Sequence, residues 1–242
     1  MRKGFTLAEV LITLGIIGVV AALVMPGLIA NHQKQTYVTS LKKSVSVLQN
    51  GFKLAMAEDG VDNINETELF KSIESASTKF GTQATFQKEF SRYFNVTKYV
   101  PDYNSDGYYT HLGFEFTGGA AFASPLAPAP ISVMGLAAYL NNGTKIVMEL
   151  NKATGVGTIM IDINGDKNPN KYGRDAFGFL LSFNGVLYPA GSERWAGYYG
   201  DTYNWKNNTS YCGTPGSSVI PVGAHGWGCA ARIIENGWVM DY

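Results

Sequence analysis

The sequence predicts an α+β protein in which one long N-terminal helix packs on a small antiparallel β-sheet domain. Three observations predict it. An apolar run opens the chain, a stripe of apolar residues at helical spacing continues it, and the remainder is punctuated by Asn-Gly turns between short apolar stretches. With 242 residues, 28 of them Gly, 13% aromatic and 16% charged, the chain has room for one domain and an appendage. Its low charge and high glycine content favour strands and turns outside the N-terminus. Lys plus Arg equals Asp plus Glu at 19 each, so no overall charge bias argues for nucleic acid or an acidic partner.

The first helix is read from Phe5 to Met25, where only Thr6, Glu9 and Thr13 interrupt the apolar run. At about 1.5 Å per residue it spans roughly 30 Å, the thickness of a bilayer's hydrocarbon core. A secretory signal has a shorter apolar region, of roughly 7–15 residues. Arg2 and Lys3 precede the span and orient it with the N-terminus in the cytoplasm. A plain anchor, with Glu9 snorkelling toward the interface, is one reading. It leaves unexplained why a carboxylate that costs a few kcal/mol in hydrocarbon is kept.

Beyond Pro26, apolar residues recur at Tyr37, Leu41, Val45, Leu48, Phe52 and Met56, with Lys34, Lys42, Lys43 and Lys53 opposite. This is a second, amphipathic half of the same helix, expected to bend at Pro26 because proline removes a backbone donor and crowds the preceding turn. A coiled-coil stalk is disfavoured by the small number of heptads. Asp59-Gly60 ends the helix. The expected organisation is a leader at 1–4, a span at 5–25, the amphipathic continuation at 26–57 and an extracytoplasmic globular domain at 58–242.

The stretch KGFTLAEVLITLGIIG resembles the processing and methylation site of type IV prepilins and type II secretion pseudopilins. A short basic leader ending in Gly4, an aromatic Phe5, a Glu at the fifth position after the leader and an unbroken apolar run occur together. The resemblance implies a pilin-like fold, cleavage between Gly4 and Phe5 by a prepilin peptidase, and N-methylation of Phe5. It further implies storage in a bacterial inner membrane, then polymerisation with itself and other pilin-like subunits into a periplasmic or surface filament. An inner-membrane assembly platform with a cytoplasmic ATPase would drive that step. Glu9 then gains a partner, the new amine of Phe5 on a neighbouring subunit, and Pro26 stands where the family often bends its helix. Pairing offsets the burial of both charges, whereas losing one leaves the other uncompensated.

Within the domain, Asn65 with Glu68 three residues on predicts a capping box opening a short helix. Phe86–Phe94 predicts an amphipathic helix, and Ala121–Ser132 a Pro/Ala loop. Leu136–Leu140 and Lys145–Leu150 flank Asn142-Gly143, a two-residue hairpin signal. Thr158–Ile163, Phe177–Phe183 and, after Asn184-Gly185, Val186–Tyr188 complete four or five antiparallel strands. Cys212 and Cys229 are either two buried thiols or, if the domain faces an oxidising compartment, a disulfide. By resemblance to the same group, the C-terminal CAARIIENGWVMDY closes the domain, with Cys229 pinning a final strand. The aromatic cluster Trp195, Tyr198, Tyr199, Tyr203, Trp205 and Tyr211 is core packing in one reading and a contact surface in another.

The segment from Asp162 to Asp175 presents Asp162, Asn164, Asp166, Asn168, Asn170 and Asp175. Alternating Asp and Asn deliver hard oxygen ligands to calcium in known loops, although the EF-hand glycine and the closing Glu are missing here. Turn formation by Asx side chains is the competing reading. No cofactor is required for polymerisation, and calcium is the one metal the residues suggest.

Catalytic signatures are absent. His32, His111 and His225 are scattered, and there is no G-x-S-x-G, phosphate-binding glycine loop or H-E-x-x-H. A membrane-tethered enzyme or binding protein is the least favoured reading. DNA-uptake pili share the same N-terminus, but no Lys/Arg cluster follows Lys53, and nucleic acid is not an expected partner.

Overall fold

The computed structural model describes residues 6–72, 84–99, 115–116, 133–151, 156–168, 170–218 and 226–242. Gly4, Phe5, His111, His225 and the Ala121–Ser132 stretch lie outside these. Helix α1 runs from Leu7 to Asp59 without interruption, with Pro26 inside it, and stops at Gly60 in the left-handed conformation. Its second half buries Val38, Leu41, Ser44, Val45, Leu48, Gly51, Phe52 and Ala55, one face at three- and four-residue spacing. Tyr37 and Met56 flank that stripe, half-buried.

Two short turns follow, and here the capping differs from expectation. Asn65 lies within a 3-10 turn over Ile64–Glu66, and Thr67 caps α2 (Glu68–Lys71), its hydroxyl accepting from the Phe70 N–H. Helix α3 spans Ala84–Tyr93. Phe94, just beyond its end, packs so tightly on α1 that a Cβ at Gly51 would stand 2.2 Å from its ring. Only glycine admits that approach.

The sheet comprises β1 (Val96–Tyr99), β2 (Glu115–Phe116), β3 (Val133–Leu140), β4 (Lys145–Asn151), β5 (Val156–Asp162), β6 (Lys171–Tyr172), β7 (Ala176–Leu181) and β8 (Leu187–Pro189). Its order is β1-β3-β4-β5-β7-β6-β2, with β8 also paired to β7. The core of the sheet is antiparallel as expected, but β6 pairs in parallel with both β7 and β2, so one edge is mixed. At the β3–β4 turn the Gly143 N–H donates to the Leu140 carbonyl at 3.0 Å, and Gly143 has φ 84°. Asn141 and Asn142 are therefore the turn's centre and Gly143 a left-handed bulge, a longer loop than the predicted two-residue one. Gly185 repeats the arrangement between β7 and β8.

Both sheet faces are covered. Ala138, Leu140, Ile146, Met148, Ile159, Ile161, Phe177 and Phe179 meet α1 and α3. On the other face, Ala137, Val147, Met160 and Gly178 form one row across four strands. Trp227 lies on that row, where a Cβ at Gly178 would reach within 2.3 Å of its ring. This back layer is built from α4 (Glu193–Tyr199), α5 (Thr209–Cys212) and α6 (Cys229–Glu235). Trp195, Trp205 and Tyr211 are buried in it, whereas Tyr198 is exposed, so core packing accounts for most of the aromatic cluster. The expected final strand after Cys229 is instead helix α6.

Cys212 and Cys229 are joined in a disulfide. Beside it, the fully buried Arg232 donates to Asp241 through Nε (2.8 Å) and a terminal nitrogen (3.0 Å), to the Cys212 carbonyl (2.8 Å), and to the Ser217 carbonyl. Trp205 and Tyr242 stack on its guanidinium. The tail is thus latched to the back layer.

Candidate functional site

Two regions carry chemistry: the N-terminal end of α1 and the loop between β5 and β7. In the first, α1 presents its apolar side chains without cover from the described residues of the domain. Leu7, Leu23 and Leu28 are 79%, 78% and 66% exposed, in contrast to Leu41 and Leu48 at 0%. It is the one helix among the described residues long and apolar enough to cross a membrane.

Glu9 sits in the first turn of this helix. Its carboxylate accepts from the Thr6 N–H and the Thr6 hydroxyl, both at 2.8 Å, while the Glu9 N–H donates back to the Thr6 hydroxyl at 3.3 Å. This is a capping box, and it places the acid where the helix dipole favours negative charge. The carboxylate is therefore partnered within the chain, beside the residue that follows Phe5. Sequence reasoning missed Thr6, although T-x-x-E ahead of an apolar run is the standard signal for such a cap.

The loop between β5 and β7 gathers four of the six predicted oxygen-bearing residues. Asp162 and Asp175 are both fully buried. One Asp162 oxygen accepts from the Asn164 N–H at 3.2 Å. Asp175 accepts from the N–H groups of Lys171 (2.6 Å) and Asn170 (2.9 Å), and from the Asn164 side-chain amide (3.2 Å). Asp166 turns elsewhere, to the Tyr139 hydroxyl at 2.6 Å and to Lys145 at 2.9 Å, and Asn168 is exposed. Gly173, with φ 80°, lets the loop pass the disulfide so closely that a Cβ would lie 2.8 Å from the Cys229 sulfur.

Electrostatics follow the burial. Loss of water pushes the Asp162 carboxyl up to about 8; the Asp175 charge adds to this, while the Asn164 N–H and Lys145 oppose it. Burial also raises Asp175, against its three N–H donors. Asp166 is held below the ordinary carboxylate range by the Tyr139 hydroxyl and Lys145. Two oxygens in the loop, Asp162 Oδ2 and Asn164 Oδ1, are buried without a hydrogen-bond partner.

Among protein families, the prokaryotic N-terminal methylation motif matches residues 1–25. No curated protein and no solved structure matches the chain. The N-terminus thus carries the prepilin cleavage motif of type IV pilins and pseudopilins, and the long apolar helix and α+β domain behind it are pilin-like.

Proposed function

We propose that the chain is a structural subunit of a type II secretion pseudopilus or a type IV pilus-like filament, processed by a prepilin peptidase and polymerised through α1. The motif implies the processing step and assembly with other pilin subunits, and its family is structural rather than enzymatic. The observation that carries the reading is the division of α1 into two environments. Residues 38–55 are docked on their own domain, whereas the large apolar side chains from Leu7 to Ile29 are exposed, with no cover among the described residues. Lipid covers that half before assembly, and the helices of neighbouring subunits cover it afterwards.

Glu9 fits both states. In the isolated chain Thr6 satisfies the carboxylate, which reduces the cost of holding it in the membrane. In the filament the Phe5 amine of a neighbour supplies an opposite charge in a dry core. Cytoplasmic processing, storage in the inner membrane and a periplasmic or cell-surface filament follow from this order of events, with the assembly platform and its ATPase as partners.

Mass spectrometry of the purified protein should find N-methyl-Phe5 as its first residue. An intact Met1, or cleavage after Ala30, would refute processing of this kind. Glu9→Val should insert into the membrane at least as well as wild type and yet fail to enter filaments; normal filaments from this variant would remove the pairing role. Deletion of the chain should impair one of protein export, surface pili or DNA uptake, and which one is lost identifies the system served.

A further inference from the structure

We propose that the C-terminal segment from Asn236 to Tyr242 is a strap fastened by oxidation. It closes on the back layer when Cys212 and Cys229 are joined and opens when they are thiols. The inference concerns the folded domain and does not depend on filament assembly.

The strap touches both layers of the molecule. Trp238 packs beside the front core, with the Lys42 ammonium of α1 5.6 Å from the centre of its ring, and Met240 is buried in that core. On the back layer, Asp241 accepts two hydrogen bonds from Arg232, and the Tyr242 hydroxyl donates to the Gly173 carbonyl at 2.7 Å. The strap therefore ties α1 to the back layer.

Both back-layer anchors rest on groups that the disulfide fixes. Arg232 stands three residues after Cys229 on α6. Its other two acceptors among the described residues, the Cys212 and Ser217 carbonyls, belong to the segment that the Cys212–Cys229 bond closes. A fully buried guanidinium needs these acceptors, because each one lost leaves a donor bare. The second anchor, Gly173, lies so close to the bridge that a Cβ there would stand 2.8 Å from the Cys229 sulfur.

Trp238 favours opening. A bulky residue at positive φ is strained, and Trp238 has φ 66°. The conformation is held by the Trp238 and Val239 N–H groups, which both donate to the Ile233 carbonyl at 2.8 and 3.2 Å, and by the anchors at Asp241 and Tyr242. When the cysteines are thiols, the segment between them is free to move, Arg232 loses acceptors, and release of the strap relieves both the under-bonded charge and the strained tryptophan. The chemistry is thiol–disulfide exchange. Two thiols give up two protons and two electrons to an external disulfide oxidant, which becomes a dithiol. The coupling is reciprocal, so what the disulfide adds to the strap, the strap adds to the disulfide.

Hydrogen exchange of the full chain in detergent, read by mass spectrometry, compares oxidised protein with protein held in a phosphine reductant. Peptides covering 236–242 should exchange about tenfold faster or more after reduction, while those from the buried stripe of α1 keep their protection. The Cys212→Ser, Cys229→Ser double variant should match the reduced protein without any reductant. Asp241→Ala should open the strap with the disulfide intact. In a glutathione titration the same variant should shift the disulfide equilibrium about tenfold toward thiols. Unchanged exchange at 236–242 on reduction, or an unshifted titration for Asp241→Ala, would overturn the proposal. Loss of protection throughout α1 on reduction would overturn it as well, since the strap would then not open as a separate unit.

Discussion

The latch between Arg232 and Asp241 makes the sharpest test of how the back layer is held. Arg232 is fully buried, and among the described residues two of its four hydrogen bonds go to Asp241, whose side chain is 31% exposed. Asp241→Ala leaves the guanidinium buried beside the neutral Cys212 and Ser217 carbonyls, without its carboxylate partner. Breaking such a pair by removing one partner typically costs about 3–5 kcal/mol, because the remaining charge is uncompensated. For a domain of this size 1 kcal/mol moves the melting temperature by roughly 2–4 °C, so the expected fall is about 6–20 °C. Differential scanning calorimetry of the full chain in detergent measures it. Arg232→Met combined with Asp241→Ala should recover part of the loss, since an apolar side chain tolerates the site between Trp205 and Tyr242. A fall below about 2 °C for Asp241→Ala would refute the reasoning, since that is the worth of a solvated surface pair.

Two further outcomes follow from the same layer. Replacing Cys212 and Cys229 together by serine should cost about 3 kcal/mol, the chain-entropy value for a sequence separation of 17, read as a lower unfolding midpoint in urea. Stability should also fall as pH rises beyond about 10, because burial lifts the Tyr211 hydroxyl above its ordinary value. Above that pH the unfolded chain has lost the proton while the folded chain retains it, so alkali favours unfolding. Tyr211→Phe should flatten this alkaline slope in denaturant melts at pH 8 and pH 11.

Much of the front of the molecule was legible in the residue pattern. The stripe from Leu41 to Phe52 has one helical period, and it is the face α1 buries. Phe86–Phe94 and the strands flanking Asn142-Gly143 were likewise visible, because each rests on local periodicity. The back layer was not, since its aromatic residues follow no period and are assembled by irregular turns. One signal was available: β7 reads AFGFLL with every residue buried, and an unbroken apolar strand has both faces covered. Parallel pairing of β6 rests on few residues, too short to leave a pattern. Arg232 and Asp241 meet only because the chain reverses after α6 at Asn236-Gly237, where Gly237 and Trp238 both have positive φ. In the loop between β5 and β7, residue type identified the oxygen donors, but only the fold separates Asp166 from Asp162, since their side chains leave the loop in different directions.

The buried hydroxyl pair of Ser44 and Thr144, 2.9 Å apart, is a polar contact between α1 and the β3–β4 turn, beside the apolar stripe of the helix. Sliding the helix by one residue would separate these hydroxyls and rotate the rod by about 100°, at 3.6 residues per turn. Because α1 continues unbroken to its N-terminus, that rotation would be transmitted to Glu9, roughly 50 Å away at about 1.5 Å per residue. The hydroxyl contact therefore acts with the buried stripe from Val38 to Ala55 to set the angular phase between the domain's outer surface and the acid at the far end of the rod.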